Sequence, residues 1–199
     1  MADKDMEHAL KGLFARPQSM SIRPVVYDTF VHPQHDPACA RRGVSFLARM
    51  STQYDHGLLL FDHEGSGREA TPSDELQREI DGHLATSAWG ERAKAVVVDP
   101  ELEAWVWSPP PHVDDVAGWT GRAPSLREWL VTEGWLREGA PKPARPKAAF
   151  HSALRAAGVA RSASLYQQIA ERVSLRRCED RSFRRLQRTL QEWFPADPV

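Results

Sequence analysis

His56-Gly57-Leu58-Leu59-Leu60-Phe61-Asp62-His63-Glu64-Gly65-Ser66-Gly67 is the stretch on which the reading of this chain turns. Leu58 to Phe61 is an unbroken apolar run that ends in Asp62. A second carboxylate, Glu64, follows one residue later, in a turn rich in small residues. A short apolar run bounded by turn signals reads as a strand buried on both faces. In open α/β sheets, ligands sit beyond the carboxyl ends of the strands, where Asp62 and Glu64 would stand. Two hard oxygen ligands so close together suit Mg²⁺ or Mn²⁺, which bind through one or two carboxylates plus water and substrate phosphate. Ala95-Val96-Val97-Val98 runs into Asp99 in the same way, and Pro100-Glu101-Leu102-Glu103-Ala104-Trp105 follows. Glu101 or Glu103 would complete or orient the ligand shell. Capping of the next helix is the competing use for an acid in such a turn, and the two uses stand level on these residues alone.

The length, 199 residues, suits one domain or one domain with an appendage. A hydrophobic fraction of 41% is enough for a core. No apolar run approaches 18 residues, so no membrane span is expected. Met1-Ala2-Asp3-Lys4-Asp5 is not an apolar signal segment, and the chain reads as cytoplasmic. Cys39 and Cys178 lack metal-ligand spacing and read as small, reduced, buried residues. Net charge is −1, unevenly placed. Residues 1–141 hold 14 Lys+Arg against 22 Asp+Glu, a balance of −8; residues 142–192 hold 12 against 4, a balance of +8. An acidic body with a basic C-terminal segment suits a phosphate-bearing partner held near a metal. Mutual neutralisation within the fold is the simpler alternative.

Outward from the opening stretch, residues 3–16 read as a helix, with Met6, Leu10, Leu13 and Phe14 at helical spacing and acids in the first turn. Residues 25–31 have β-rich composition, and three strands (25–31, 58–61 and 95–98) are expected in one sheet, with Asp62 and Asp99 at one edge. His32-Pro33-Gln34-His35-Asp36-Pro37 is a loop that could touch a substrate. A helix follows over 38–50. Thr71-Pro72-Ser73-Asp74 reads as an N-cap, a first-turn Pro and an acid opening another helix, to about residue 86. Residues 1–107 thus form an α/β domain. Residues 108–199 form a Pro-rich connector and a helical, basic C-terminal part packed on it, with helices over 125–135, 146–157, 163–173 and 180–194.

Together these features resemble a family. A strand ending in Asp-x-acid, a later strand followed by Pro-Glu-x-Glu-Ala-Trp, the Lys142-Pro143-Ala144-Arg145-Pro146-Lys147 connector and a closing Cys-x-Asp-x-x-Phe helix are similar to the small Toprim-like proteins of bacterial defence islands, methylation-associated anti-phage systems among them. The resemblance implies a Toprim-like, mainly parallel sheet flanked by helices. It also implies Mg²⁺- or Mn²⁺-dependent phosphodiester chemistry on DNA, as in a nuclease. Asp62 and Glu64 match the family's metal-holding acid pair, with Glu in place of its second Asp. The family's first acid falls on Asp3, and a further acid of the first helix on Glu7. Only Met1 and Ala2 precede Asp3, too few for a first strand of ordinary length, and Asp3 lacks the usual following Gly. An upstream start, a strand from another chain, or a sheet without that strand are the three expectations this leaves. A helix N-terminus with favourable charges is the plainer reading of Asp3 and Glu7.

Arg177, Arg181, Arg184, Arg185 and Arg188 recur three or four residues apart, which makes one helix face cationic. Lys142, Lys147, Arg177, Arg181, Arg184 and Arg188 are therefore candidate nucleic-acid-binding residues. A docking face for an acidic protein, or a solvated face, would look the same. The expected function is metal-dependent phosphodiester processing within an anti-phage defence system, with that system's other proteins and DNA as partners. A non-catalytic subunit that binds nucleic acid or a partner is the alternative.

Overall fold

A computed structural model describes residues 1–107, 112–173, 175 and 178–196. The two apolar runs form strands β1 (Gly57–Asp62) and β2 (Ala93–Val98). They pair in parallel, with Leu58 opposite Lys94 and Asp62 opposite Val98. Every residue of both runs is buried except Leu58 and Lys94, which are half-buried. Near-continuous burial on both faces is what an uninterrupted apolar run selects. Asp62 and Asp99 leave the sheet at its carboxyl edge.

Ten helices surround the pair among the described residues: α1 (Lys4–Phe14), α2 (Pro17–Met20), α3 (His35–Ala48), α4 (Ser73–Ala85), α5 (Glu103–Val106), α6 (His112–Val116), α7 (Leu126–Thr132), α8 (Pro146–Ala157), α9 (Ala163–Arg172) and α10 (Arg181–Trp193). The fold is α/β, dominated by helices around a small parallel sheet. α4 crosses from β1 to β2 and packs on β2; α3 packs on β1 and α10 on β2. α1 lies along α9. Gly12 permits that approach: a Cβ there would stand 2.5 Å from the Gln167 carbonyl oxygen. Gly43 does the same for α3, where a Cβ would meet Leu59 at 2.6 Å.

The expected third strand over 25–31 is not there. That segment has no assigned secondary structure and joins no ladder. Its side chains explain why: Val26 is fully exposed and Tyr27 and Phe30 are partly so, leaving little burial to hold it against the sheet. The β2 edge of the sheet is instead closed by other groups. On β2, Asp81 Oδ1 accepts from Ala95 N–H (2.9 Å), Gln77 Oε1 from Val97 N–H (3.2 Å), and Arg185 Nε donates to Ala95 O (2.9 Å). Side chains of α4 and α10 thus stand where a neighbouring strand would.

Boundaries also move. α3 opens at His35 rather than 38, so His35 and Asp36 of the expected loop form its first turn, and it ends at Ala48. α4 opens at Ser73, because Pro72 is polyproline-like at ψ 139° and occupies the cap position expected for Thr71. α7 ends at Thr132 rather than 135, where the chain turns through Gly134 at φ 75°. The described residues contain no helix long and apolar enough to cross a membrane.

Candidate functional site

The carboxyl edge of the sheet gathers acids from four parts of the chain. Asp62 closes β1 and is 2% exposed. Its Oδ1 accepts from Leu102 N–H (2.9 Å), and its own N–H donates to Asp36 Oδ1 (2.7 Å). Beyond β1 the two chains stay side by side, with His63 N–H on Val98 O and Glu64 N–H on Pro100 O, both 2.8 Å. That alignment carries Glu101 and Glu103 past Asp62. Glu101 is 6% exposed and Glu103 1%.

α8 brings the counter-charge. Pro146 opens the helix, so the next amide, Lys147 N–H, has no partner within its own first turn. It donates to Glu101 Oε1 at 2.8 Å. The Lys147 ammonium is half-buried and lies in the field of Glu103, Asp62, Glu101 and Asp3, which raise its pKa against the opposing effect of burial. Tyr166, from α9, donates its hydroxyl to Glu103 Oε1. Glu103 Oε2 is buried with no hydrogen-bond partner. His151 Nε2 stands 3.9 Å from Glu103 Oε1.

Burial dominates the titration of these acids. It pushes Asp62 well above the ordinary carboxylate range, and the charges of Asp36 and Glu103 push the same way, with Lys147 opposing. Glu103 and Glu101 are raised for the same first reason, again opposed by groups of Lys147. Asp36 is raised by burial and lowered by its bond from the Asp62 amide.

The sequence candidates divide accordingly. Asp62, Glu101 and Glu103 come together. Asp3 joins their outskirts: it caps α1, with Oδ1 accepting from Met6 N–H at 2.9 Å, and its charge acts on Asp62 and Lys147. Glu64 is exposed and acts on Glu101. Glu7 is engaged elsewhere, by Lys11 (2.7 Å) and Thr29 (2.8 Å), and the Lys11 bond holds it below the usual carboxylate range. Lys142 pairs with Asp180, the N-cap of α10, at 2.8 Å. Lys147 stands among the acids rather than beside the arginines. Arg177 lies outside the described residues.

Arg181, Arg184, Arg185 and Arg188 line a cleft between α10 and the start of α4, floored by Val97 and Asp99 of the same sheet edge. The cleft is less cationic than the bare arginine spacing implies. Asp74, Asp99 and Glu179 share its walls, Arg181 reaches Asp74 at 3.4 Å, and Arg185 pairs with Asp81.

Asp36 and Tyr166 belong to the cluster and were not singled out as site residues by sequence. Asp36 was read only as part of the His32–Pro37 loop; it sits instead in the first turn of α3. Nothing local marks Tyr166, which is brought in by the packing of α9. Among the described residues, no three His, Cys, Asp or Glu side chains are grouped so as to hold a metal ion.

No protein-family model, no curated protein and no solved structure matches this chain.

Proposed function

We propose that this chain is a Toprim-like component of a bacterial anti-phage defence system, working in the cytoplasm with that system's other proteins, and that its sheet-edge acids act on a phosphodiester, with DNA as the substrate class. One observation carries the reading: buried carboxylates from separate chain segments converge on the carboxyl edge of a parallel pair, with a half-buried lysine among them. Perturbed acids gathered at the carboxyl edge of a parallel sheet are the arrangement expected of a functional site.

The donor set suits a divalent cation of the Mg²⁺ type, which needs only one or two carboxylates and takes its remaining ligands from water and phosphate. Asp62 would hold it with Glu103, whose charge acts on Asp62 and whose Oε2 is buried without a hydrogen-bond partner; Glu64, the second ligand expected from the sequence, is exposed and acts on Glu101 instead. Such an ion supplies charge stabilisation at a phosphoryl oxygen and a more acidic bound water. The protein's own groups do the rest. Leu102 N–H fixes the Asp62 carboxylate in place. Lys147 offers a cation to a phosphate oxygen and lowers the cost of the buried acids. The arginine cleft steers a polyanion toward the same edge.

A second reading has its own observation. Lys147 already balances part of the acid charge, as a cation would, which favours a non-catalytic subunit that binds nucleic acid or a partner protein. Cleavage of plasmid and linear DNA with Mn²⁺ separates the two, using the isolated chain and then the co-expressed system. The enzyme reading predicts cutting in at least the co-expressed system, abolished by Asp62→Asn. Silence in both settings leaves the binding subunit.

A further inference from the structure

Residues 25–31 lie across a cavity from β1 without pairing to it. This cavity, of about 270 Å³, has Gly57, Leu58 and Leu59 on one wall and residues 25–30 on the other. The side chains of Trp193 and Phe194 also border it.

What fills one end of this gap shows its width. Met1 and Ala2 lie between the same two segments. The Met1 amino group donates to Phe30 O (2.9 Å), and His32 N–H donates to Met1 O (2.9 Å). Those two bonds are the pattern of a parallel pair with Met1 opposite Val31. On the other side, Ala2 N–H donates to Leu60 O at 3.1 Å. A single extended backbone therefore bridges the segment to β1, and the gap is one strand wide at that end.

The edge continues past that point. His63 N–H bonds Val98 O, so the odd-numbered backbone groups of β1 face β2 and the even-numbered ones face outward. On that outer edge, the hydrogen bonds among the described residues are Ala2 N–H to Leu60 O and Asp62 N–H to Asp36 Oδ1. Leu58 presents its amide and carbonyl on the same edge, beside the cavity. His56, which also borders the cavity, stacks on Trp193 at 4.6 Å and has a buried Nδ1 with no hydrogen-bond partner. Asp28 and Asp55 border it too and are exposed, two negative charges against the one positive charge of the Met1 amino group on the same lining; Asp28 also accepts from the Tyr54 hydroxyl at 2.7 Å.

We infer that this slot takes an extended segment of a partner protein. The segment pairs as a strand with the outer edge of β1 at Leu58, continuing the line that Met1 and Ala2 begin. It carries alternating apolar side chains for the aromatic lining and at least one Lys or Arg for Asp28 and Asp55. Backbone bonds supply affinity and the cavity supplies side-chain selection, as in other strand-addition interfaces. The inference does not depend on the phosphodiester reading.

The test uses the whole chain. Random octapeptides displayed on phage are selected against it, and the enriched peptides are synthesised and titrated while amide exchange is followed by NMR. The expected peptides alternate apolar residues and carry a basic one, and their binding slows exchange of the Leu58 and Leu60 amides by about tenfold or more. Asp55→Lys changes only an exposed side chain, should leave the thermal melt unchanged, and should weaken binding by about fivefold or more. A selection that yields no binder overturns the inference. So do binders that leave Leu58 and Leu60 exchanging as in the free chain, or that are indifferent to Asp55→Lys.

Discussion

Asp62 is held ionisable in a place that penalises its charge. Its folded pKa is raised, so the folded chain binds a proton more readily than the unfolded one. The sign follows: the stability linked to this group is present below the unfolded carboxylate range and is lost as pH rises through the raised folded value. Glu101 and Glu103 add in the same direction. Burial holds the pKa values of His32, His56 and His151 low, and they oppose this trend as pH falls, so the acid contribution is read in chelator as the gap in melting temperature between wild type and Asp62→Asn, which should narrow from pH 7.5 to pH 5.5. Asp62→Asn keeps an oxygen for Leu102 N–H and removes the charge. It should melt higher than wild type at pH 7.5, by about 2–4 °C per kcal/mol regained. A variant that melts lower at pH 7.5, by a gap that does not change with pH, would show that the buried charge is fully compensated. At the same cluster, Tyr166→Phe leaves Glu103 without its hydroxyl donor and should destabilise the fold by about 1–3 kcal/mol in urea titration.

At the scale of elements, the legible parts were those that their own residues determine. β1 and β2 are continuous apolar runs, and α8, α9 and α10 carry apolar stripes, so local pattern and burial agree. Residues 25–31 have strand composition too, but composition does not report exposure, and Val26 points into solvent. The site divides in the same way. Asp62, Glu101 and Glu103 were readable as acids at strand ends. Lys147 was read with the basic connector, because its place among the acids depends on how α8 docks. The contact of α1 with α9 was invisible in the sequence and rests on Gly12. Gly12→Ala should cost about 1–3 kcal/mol through overpacking, although alanine favours helix, and urea denaturation would measure it. A neutral or stabilising result would mean that the two helices separate easily.

For the molecule as a whole, the acid cluster is buried at the carboxyl edge of the sheet, and the arginine cleft opens beside Asp99 of that edge. If the cleft binds DNA, affinity should fall steeply with salt as counterions are released. Replacing Arg181, Arg184 and Arg188 together by Ala should flatten that slope by up to about three phosphate contacts. Salt-independent or absent binding to every DNA and RNA tested would assign the cleft to a protein partner, a role its acidic walls also suit. The most direct test of the central proposal is a calorimetric titration of Mn²⁺ into the chain and into Asp62→Asn at pH 7.5. The account predicts saturable binding by the wild-type chain and its loss in the variant. Identical isotherms for the two proteins would contradict it.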